Sequence, residues 1–201
     1  MAYCDYSFES VQKTFGIEGR WEEVFPPPPP LPVPEWLRLY LGRSVRQSLL
    51  SEKSRGELLV MPILLASQEL SRDRFAIFSG QSLIAAPEQG LTGECDFILS
   101  LSPPMPVLTA PVITLVEAKK HDLEAGIGQC VAQMIGARLY NEQHEKPLKN
   151  IYGCVTSGET WLFLRMENST VLIDTHRYYI DNVGSILAAI QVITTPLGSE
   201  G

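Results

Sequence analysis

Apolar residues recur at helical spacing along Leu123 to Asn141, where Ile127, Val131, Met134, Ile135 and Leu139 form one stripe. The spacing predicts a long helix there. A second helix is expected from about Glu52 to Leu70, with Ser51 as its N-cap and a bend at Pro62. A third, apolar helix over Asn182–Ile193 follows the last strand. Between these lie short runs of β-branched and aromatic residues bounded by Gly and Pro, the pattern of strands. They are Phe75–Ser79 and Ser82–Ala86 (split by Gly80), Glu94–Leu101, Val112–Ala118, Ile151–Ser157, Thr160–Met166 and Thr170–Asp174. Pro87–Gly93 reads as a turn and Ser102–Pro111 as a Pro-rich loop. The order α-β-β-β-α-β-β-β-α predicts an α+β domain with a mixed central sheet flanked by helices.

Residues 1–43 break this pattern. A short amphipathic piece (Phe8, Val11, Phe15) precedes Pro26–Pro30. A proline run cannot enter helix or sheet interiors and favours polyproline II. The segment is expected to be an appendage whose strap packs along the domain through Trp36, Leu37 and Leu39, with 44–201 as the folded domain. A ligand for a Pro-binding module is the alternative. The 201 residues suffice for one core without covalent staples. A net charge of −7 excludes a strongly basic nucleic-acid coat and a polybasic membrane anchor, though not a local basic groove. Cys4, Cys95, Cys130 and Cys154 form no C-x-x-C pair, which argues against structural zinc. The last three sit in apolar stretches as expected of buried free thiols. The start has no signal-peptide pattern, and the apolar run Leu58–Ala66 is too short for a bilayer and holds Pro62. The expectation is a cytoplasmic protein.

Candidate chemistry concentrates in Val112-Ile-Thr-Leu-Val-Glu-Ala-Lys119. The strand is apolar until its end, where Glu117 and Lys119 share one face and Ala118 takes the other. Buried charge is costly unless compensated. Asp96 opens another apolar strand, and antiparallel pairing of the two would bring it beside Glu117. Two close carboxylates raise each other's pKa, a conflict that a hard divalent cation such as Mg²⁺ (or Mn²⁺) removes. Lys119 on the same face is placed to orient a water and offset charge on a phosphate.

Asp96 followed by Glu117-Ala-Lys119 resembles the PD-(D/E)XK nuclease superfamily, with its restriction-endonuclease-like fold. The segments Gly93-Glu-Cys-Asp96-Phe and Tyr152-Gly-Cys-Val-Thr156 with Trp161 are similar to small stand-alone bacterial and cyanobacterial members. Ser51–Arg55 leading to Pro62-Ile-Leu64 resembles the opening helix of type I restriction subunit-like nuclease domains. The resemblance covers roughly residues 51–193 and implies Mg²⁺-dependent hydrolysis of phosphodiester bonds of DNA or RNA, with DNA the favoured partner. It implies a metal site of Asp96, Glu117 and a glutamate from the preceding helix (Glu52, with Glu57 as alternative). It also implies a polar residue from the helix after the lysine; Gln129, with Gln133 one turn on, supplies it. Homodimerisation is open. The chain departs from the family name at Cys95, where the pattern has proline, and in its acidic balance.

Each feature also has a plainer reading. Glu117 and Lys119 can be a strand-end ion pair, Glu52 a first-turn partner of the helix dipole, and Gln129 a solvated residue. His121 after the motif is a proton-relay candidate or a solvated loop residue; His176 near Asp174 reads as a turn residue rather than a ligand, and Trp161 and Tyr152 as core. Two further functions compete with the nuclease: an inactive nuclease-fold protein serving as a binding or assembly module, and an interaction protein acting through the proline strap.

Overall fold

The computed structural model describes residues 1–119 and 122–195. An eight-stranded mixed sheet runs through the molecule in the order β1-β7-β6-β5-β4-β3-β2, with β8 paired to β6. The strands are β1 (Glu18–Trp21), β2 (Ala76–Ala86), β3 (Leu91–Ser100), β4 (Val112–Ala118), β5 (Asn150–Thr156), β6 (Thr160–Glu167), β7 (Thr170–Ile173) and β8 (Tyr178–Tyr179). The β1/β7 and β4/β5 pairs are parallel and the others antiparallel. The β4–β5 crossover is α5 (Leu123–Gln143), started by Asp122, whose Oδ1 accepts from the amides of Glu124 (3.0 Å) and Ala125 (3.2 Å). Helices therefore lie on both faces, as an α+β domain with a mixed sheet requires.

Each face has its own core. One lies between the sheet and α5 and holds Leu83, Cys95, Ile98, Val131, Ile135 and Leu162. The other lies beneath α4 (Met61–Leu70) and α6 (Val183–Thr194) and holds Ile63, Phe97, Leu99, Trp161, Phe163 and Ile190. Trp161 and Tyr152 are core residues. Cys95, Cys130 and Cys154 are free and buried, and Cys4 is exposed.

The helix expected over Glu52–Leu70 is continuous but not regular. α3 (Glu52–Arg55) passes through a π-helical turn at Gly56–Val60 before α4 begins. Pro62 has no N–H for an i−4 bond, and the Met61 amide just before it reaches back to the Gly56 carbonyl, one residue further than in an α-helix. The two strand pieces expected around Gly80 are a single strand. Gly80 takes φ 61°, and the ladder continues on both sides of it through Ser79–Phe97 and Gln81–Cys95.

Residues 1–43, expected as an appendage, are built into both cores. Tyr3, Tyr6, Val11 and Ile17 join the α5-side core, and α1 (Phe8–Phe15) packs on α5. The chain then passes the sheet margin as β1. Val24 and Phe25 enter the opposite core, where Leu31 and Val33 of the strap also pack. The Leu31 amide donates to the Gly184 carbonyl at 3.0 Å. Of the three residues expected to seat the strap, only Leu37 is buried. On α2 (Glu35–Ser44) the helical period turns Leu37 and Leu41 inward and leaves Trp36 and Leu39 outside.

Candidate functional site

β3 and β4 are antiparallel neighbours, paired up to Phe97–Val116; one residue further, Asp96 comes opposite Glu117. Asp96 also marks a break in alternation. Cys95 and Phe97 should share a face, yet they lie in opposite cores. The left-handed Gly80 stands opposite this step and lets the β2–β3 pair twist there. Asp96 is thereby turned toward the end of β4, where its Oδ2 accepts from the Ala118 amide at 2.7 Å.

Glu117 points to the α5 side and is 4% exposed. Lys119 Nζ donates to its Oε1 at 2.9 Å, and Gln133 Nε2 to its Oε2 at 2.9 Å. Lys119 Nζ also donates to Gln129 Oε1 at 3.1 Å. The stripe expected on α5 thus serves two residues, Gln129 holding the lysine and Gln133 the glutamate. Gly126 makes room for this approach, since a Cβ there would stand 3.0 Å from Lys119 Cγ and 2.7 Å from Val155 Cγ1. Gln133 is fully buried, and its Oε1 has no donor among the described residues.

Burial and the neighbouring Asp96 push the Glu117 carboxyl up to about 7, against the pull of Lys119 and Gln133. Burial also raises Asp96, while the Ala118 amide and Lys119 act the other way. Burial lowers Lys119, but Glu117 outweighs it and the ammonium is held above its ordinary value.

On the other face, Asp96 and Ala118 border a cleft of about 460 Å³ lined by Glu52, Lys53, Gly56, Glu57, Ser79, Gly80, Glu94 and Phe97 as well. Ser51 caps α3 through its Oγ, which accepts from the Ser54 amide at 3.0 Å. One turn on, the buried Arg55 ties this helix to the β5–β6 hairpin, donating to the Ser157 carbonyl at 2.9 Å and to Glu159 at 2.7 Å. These contacts hold Glu52 at the cleft, where its charge acts on both Asp96 and Lys119. Glu57 also lines the cleft but faces Lys53 at 4.0 Å, which makes Glu52 the better placed of the two glutamates.

Asp96 and Glu117 therefore meet at one strand end from two sides: Asp96 lies on the cleft side with Glu52, and Glu117 on the α5 side with Lys119 and Gln129. Glu94 is the addition, and Gln133, named beside Gln129 from the sequence, takes a role of its own. Gln133 was visible on the stripe of Gln129, and Glu94 by its position two residues before Asp96. His121 lies outside the described residues, as does Lys120. His176 sits in a turn, its amide donating to Asp174 Oδ1 at 3.0 Å.

Among the described residues the cleft lining offers carboxylate oxygens and no His or Cys, a set suited to Mg²⁺ or Mn²⁺. Asp96 Oδ1 has no hydrogen-bond donor among the described residues and is available to a cation. Both Glu117 oxygens are engaged. Among the described residues no three His, Cys, Asp or Glu side chains are grouped closely enough to hold a metal ion by themselves.

No protein-family model matches the chain. Over 181 residues it is 28% identical to Crinkler effector protein 1 of Rhizophagus irregularis, a match covering 81% of this chain and 37% of that protein. The chain thus spans little more than a third of the relative's length. No helix among the described residues is long and apolar enough to cross a membrane.

Proposed function

We propose that this protein is a nuclease of the PD-(D/E)XK type, hydrolysing phosphodiester bonds of nucleic acid with Mg²⁺ or Mn²⁺, and that DNA is its substrate. The observation that carries the reading is the meeting of Asp96, Glu117, Lys119 and Gln129 at the paired ends of β3 and β4. Asp96 and Glu117 would hold the cation with Glu52 opposite. When bound, the cation supplies Lewis acidity toward the phosphate and lowers the pKa of a water. Lys119, held between Glu117 and Gln129, orients the attacking water and offsets charge on the phosphoryl oxygens. The water oxygen bonds to phosphorus as the ester P–O bond breaks; the water's proton passes to solvent, and the leaving oxygen takes one up from solvent water. Arg55 keeps the α3 side of the cleft at a fixed distance from the β5–β6 hairpin. The three buried thiols, all free, fit a reducing compartment, and we place the protein in the cytoplasm.

Cleavage of supercoiled plasmid DNA with Mg²⁺ or Mn²⁺ tests this. Lys119→Ala is expected to lower the rate on the order of 10²- to 10³-fold while the fold is retained. A Lys119→Ala protein that cuts like the wild type would remove the assignment.

The acidic cleft favours a second reading, a nuclease-fold protein that binds or assembles without catalysis. It predicts no calorimetric Mg²⁺ or Mn²⁺ binding by the wild type, and no change in that result for Asp96→Ala.

A further inference from the structure

The two margins of the sheet are built differently. β1, at one end, has four residues and carries the Glu18–Arg20 pair at 3.0 Å. A short, charged edge is a poor template for another strand. β2, at the other end, has eleven residues, Ala-Ile-Phe-Ser-Gly-Gln-Ser-Leu-Ile-Ala-Ala, about 35 Å of extended chain. It has no charged residue and no proline. Ser79, Gly80, Gln81 and Ser82 are exposed, and Ile84 is 59% exposed. The two ends are closed by side chains: Gln68 donates to the Phe75 carbonyl at 2.7 Å and Gln143 to the Ala85 carbonyl at 3.0 Å. Between them no side chain of the described residues bonds the backbone of 77–84, and among those residues no strand lies outside it. Extended peptides add to an edge of this kind.

Charge decides what kind of strand fits. Ser79 and Gly80 border the cleft that holds Glu52, Glu57, Glu94 and Asp96, with Lys53 the only basic residue of its lining among the described residues. Glu94 stands on β3 opposite Ser82. A second copy paired about a two-fold axis would set two such clefts side by side, each on a chain of net charge −7. A strand with Lys or Arg at alternate positions would instead place every second side chain on the cleft face, over these carboxylates.

We infer that the open edge of β2 takes an extended basic segment of another protein, added as a further strand with its cationic side chains toward Glu57 and Glu94. This does not rest on the nuclease reading. A strand so seated covers the cleft and would compete with any polyanion for it.

The test uses metal-free protein and no nucleic acid, so its outcome is separate from that of the cleavage assay. The probe is an end-capped peptide of about ten residues alternating lysine with threonine or valine. Its fully N-methylated counterpart keeps the charges but cannot donate to a strand. Binding is followed by calorimetry and by amide chemical shifts in residues 77–84. The parent peptide is expected to bind at least about tenfold more tightly than the N-methylated one, with shifts along β2. The Glu57→Gln/Glu94→Gln double variant is expected to weaken it about tenfold. Equal binding of both peptides would reduce the effect to general electrostatics and overturn the proposal, as would no binding of either. Concentration-dependent shifts of the same amides without peptide would give the edge to a second copy and overturn it too.

Discussion

Two groups of charged residues meet at Asp96, and they are built in opposite ways. Behind the end of β4, buried Glu117 and Gln133 and half-buried Lys119 and Gln129 form a set in which each charge has a partner within 3.1 Å. In front of it, Glu52, Glu57 and Glu94 line a cleft whose one basic residue among the described residues, Lys53, is itself exposed. The buried set contributes to fold stability as well as to the proposed chemistry, because removing a member leaves its partner less well compensated in a low-dielectric place. The cleft costs the fold little, because water screens its charges. A protein tolerates unpaired carboxylates on such a surface without structural need for them, so the cleft is the part free to serve a ligand. Asp96 belongs to both: one oxygen is fixed by the Ala118 amide while the residue lines the cleft.

The sharpest test of this contrast is Glu117→Ala. It leaves the ammonium of Lys119 and the amide of Gln133 without their carboxylate partner, and a loss of about 3 kcal/mol is expected in denaturant unfolding. A loss below about 0.5 kcal/mol would show that the buried set does not hold the strand end. Gln133→Leu comes next. It removes the donor from Glu117 Oε2 in a fully buried place and should cost about 1–3 kcal/mol. Gln129→Leu, at a half-buried position where water can replace the amide, should cost less. The reverse order would mean that the two glutamines have exchanged roles.

Much of this arrangement was legible in the sequence because strand geometry is local. The β-branched run after Pro111 sets β4, and a period of two puts Glu117 and Lys119 on one face. Asp96 is reached by pairing β3 with β4, but the direction of its side chain depends on the twist at Gly80 on a neighbouring strand. The helical stripe gave Gln129 and Gln133 together, but which meets the lysine and which the glutamate depends on how α5 lies across the sheet. The N-terminal segment was the least legible. Glu18-Gly-Arg-Trp21 has little strand propensity and is extended because β7 offers it a ladder. Tyr3 and Val11 are buried by α5 and the sheet, not by anything in their own segment.

The pH dependence of the metal-free protein gives a smaller, directional test. Burial first, then Asp96, raises Glu117 to about 7, above the ordinary 4.5 of an unfolded chain. Between those values the native state binds more protons than the unfolded one, so this group stabilises as pH falls and the contribution is lost as pH rises through 7. Asp96, also raised, acts in the same direction. The thermal midpoint should therefore be higher one unit below that value than one unit above it, and Glu117→Gln should flatten the difference. A midpoint that climbs with pH across this window would place Glu117 in a far wetter setting than the one described.

The smallest effect is expected in the cleft. Glu57 faces Lys53 at 4.0 Å with both side chains more than half exposed, and such a pair contributes a few tenths of a kcal/mol at most. Glu94 is exposed beside Gly80. Glu57→Gln and Glu94→Gln, singly or together, should leave the unfolding free energy within about 0.5 kcal/mol of the wild type. Their near-silence matters because the same two substitutions are expected to weaken binding of a basic strand at β2. If instead the double variant loses as much stability as Gln133→Leu, the carboxylates in front are part of the same compensated set as those behind. The cleft would then be structural, and its lack of basic partners would say nothing about a ligand.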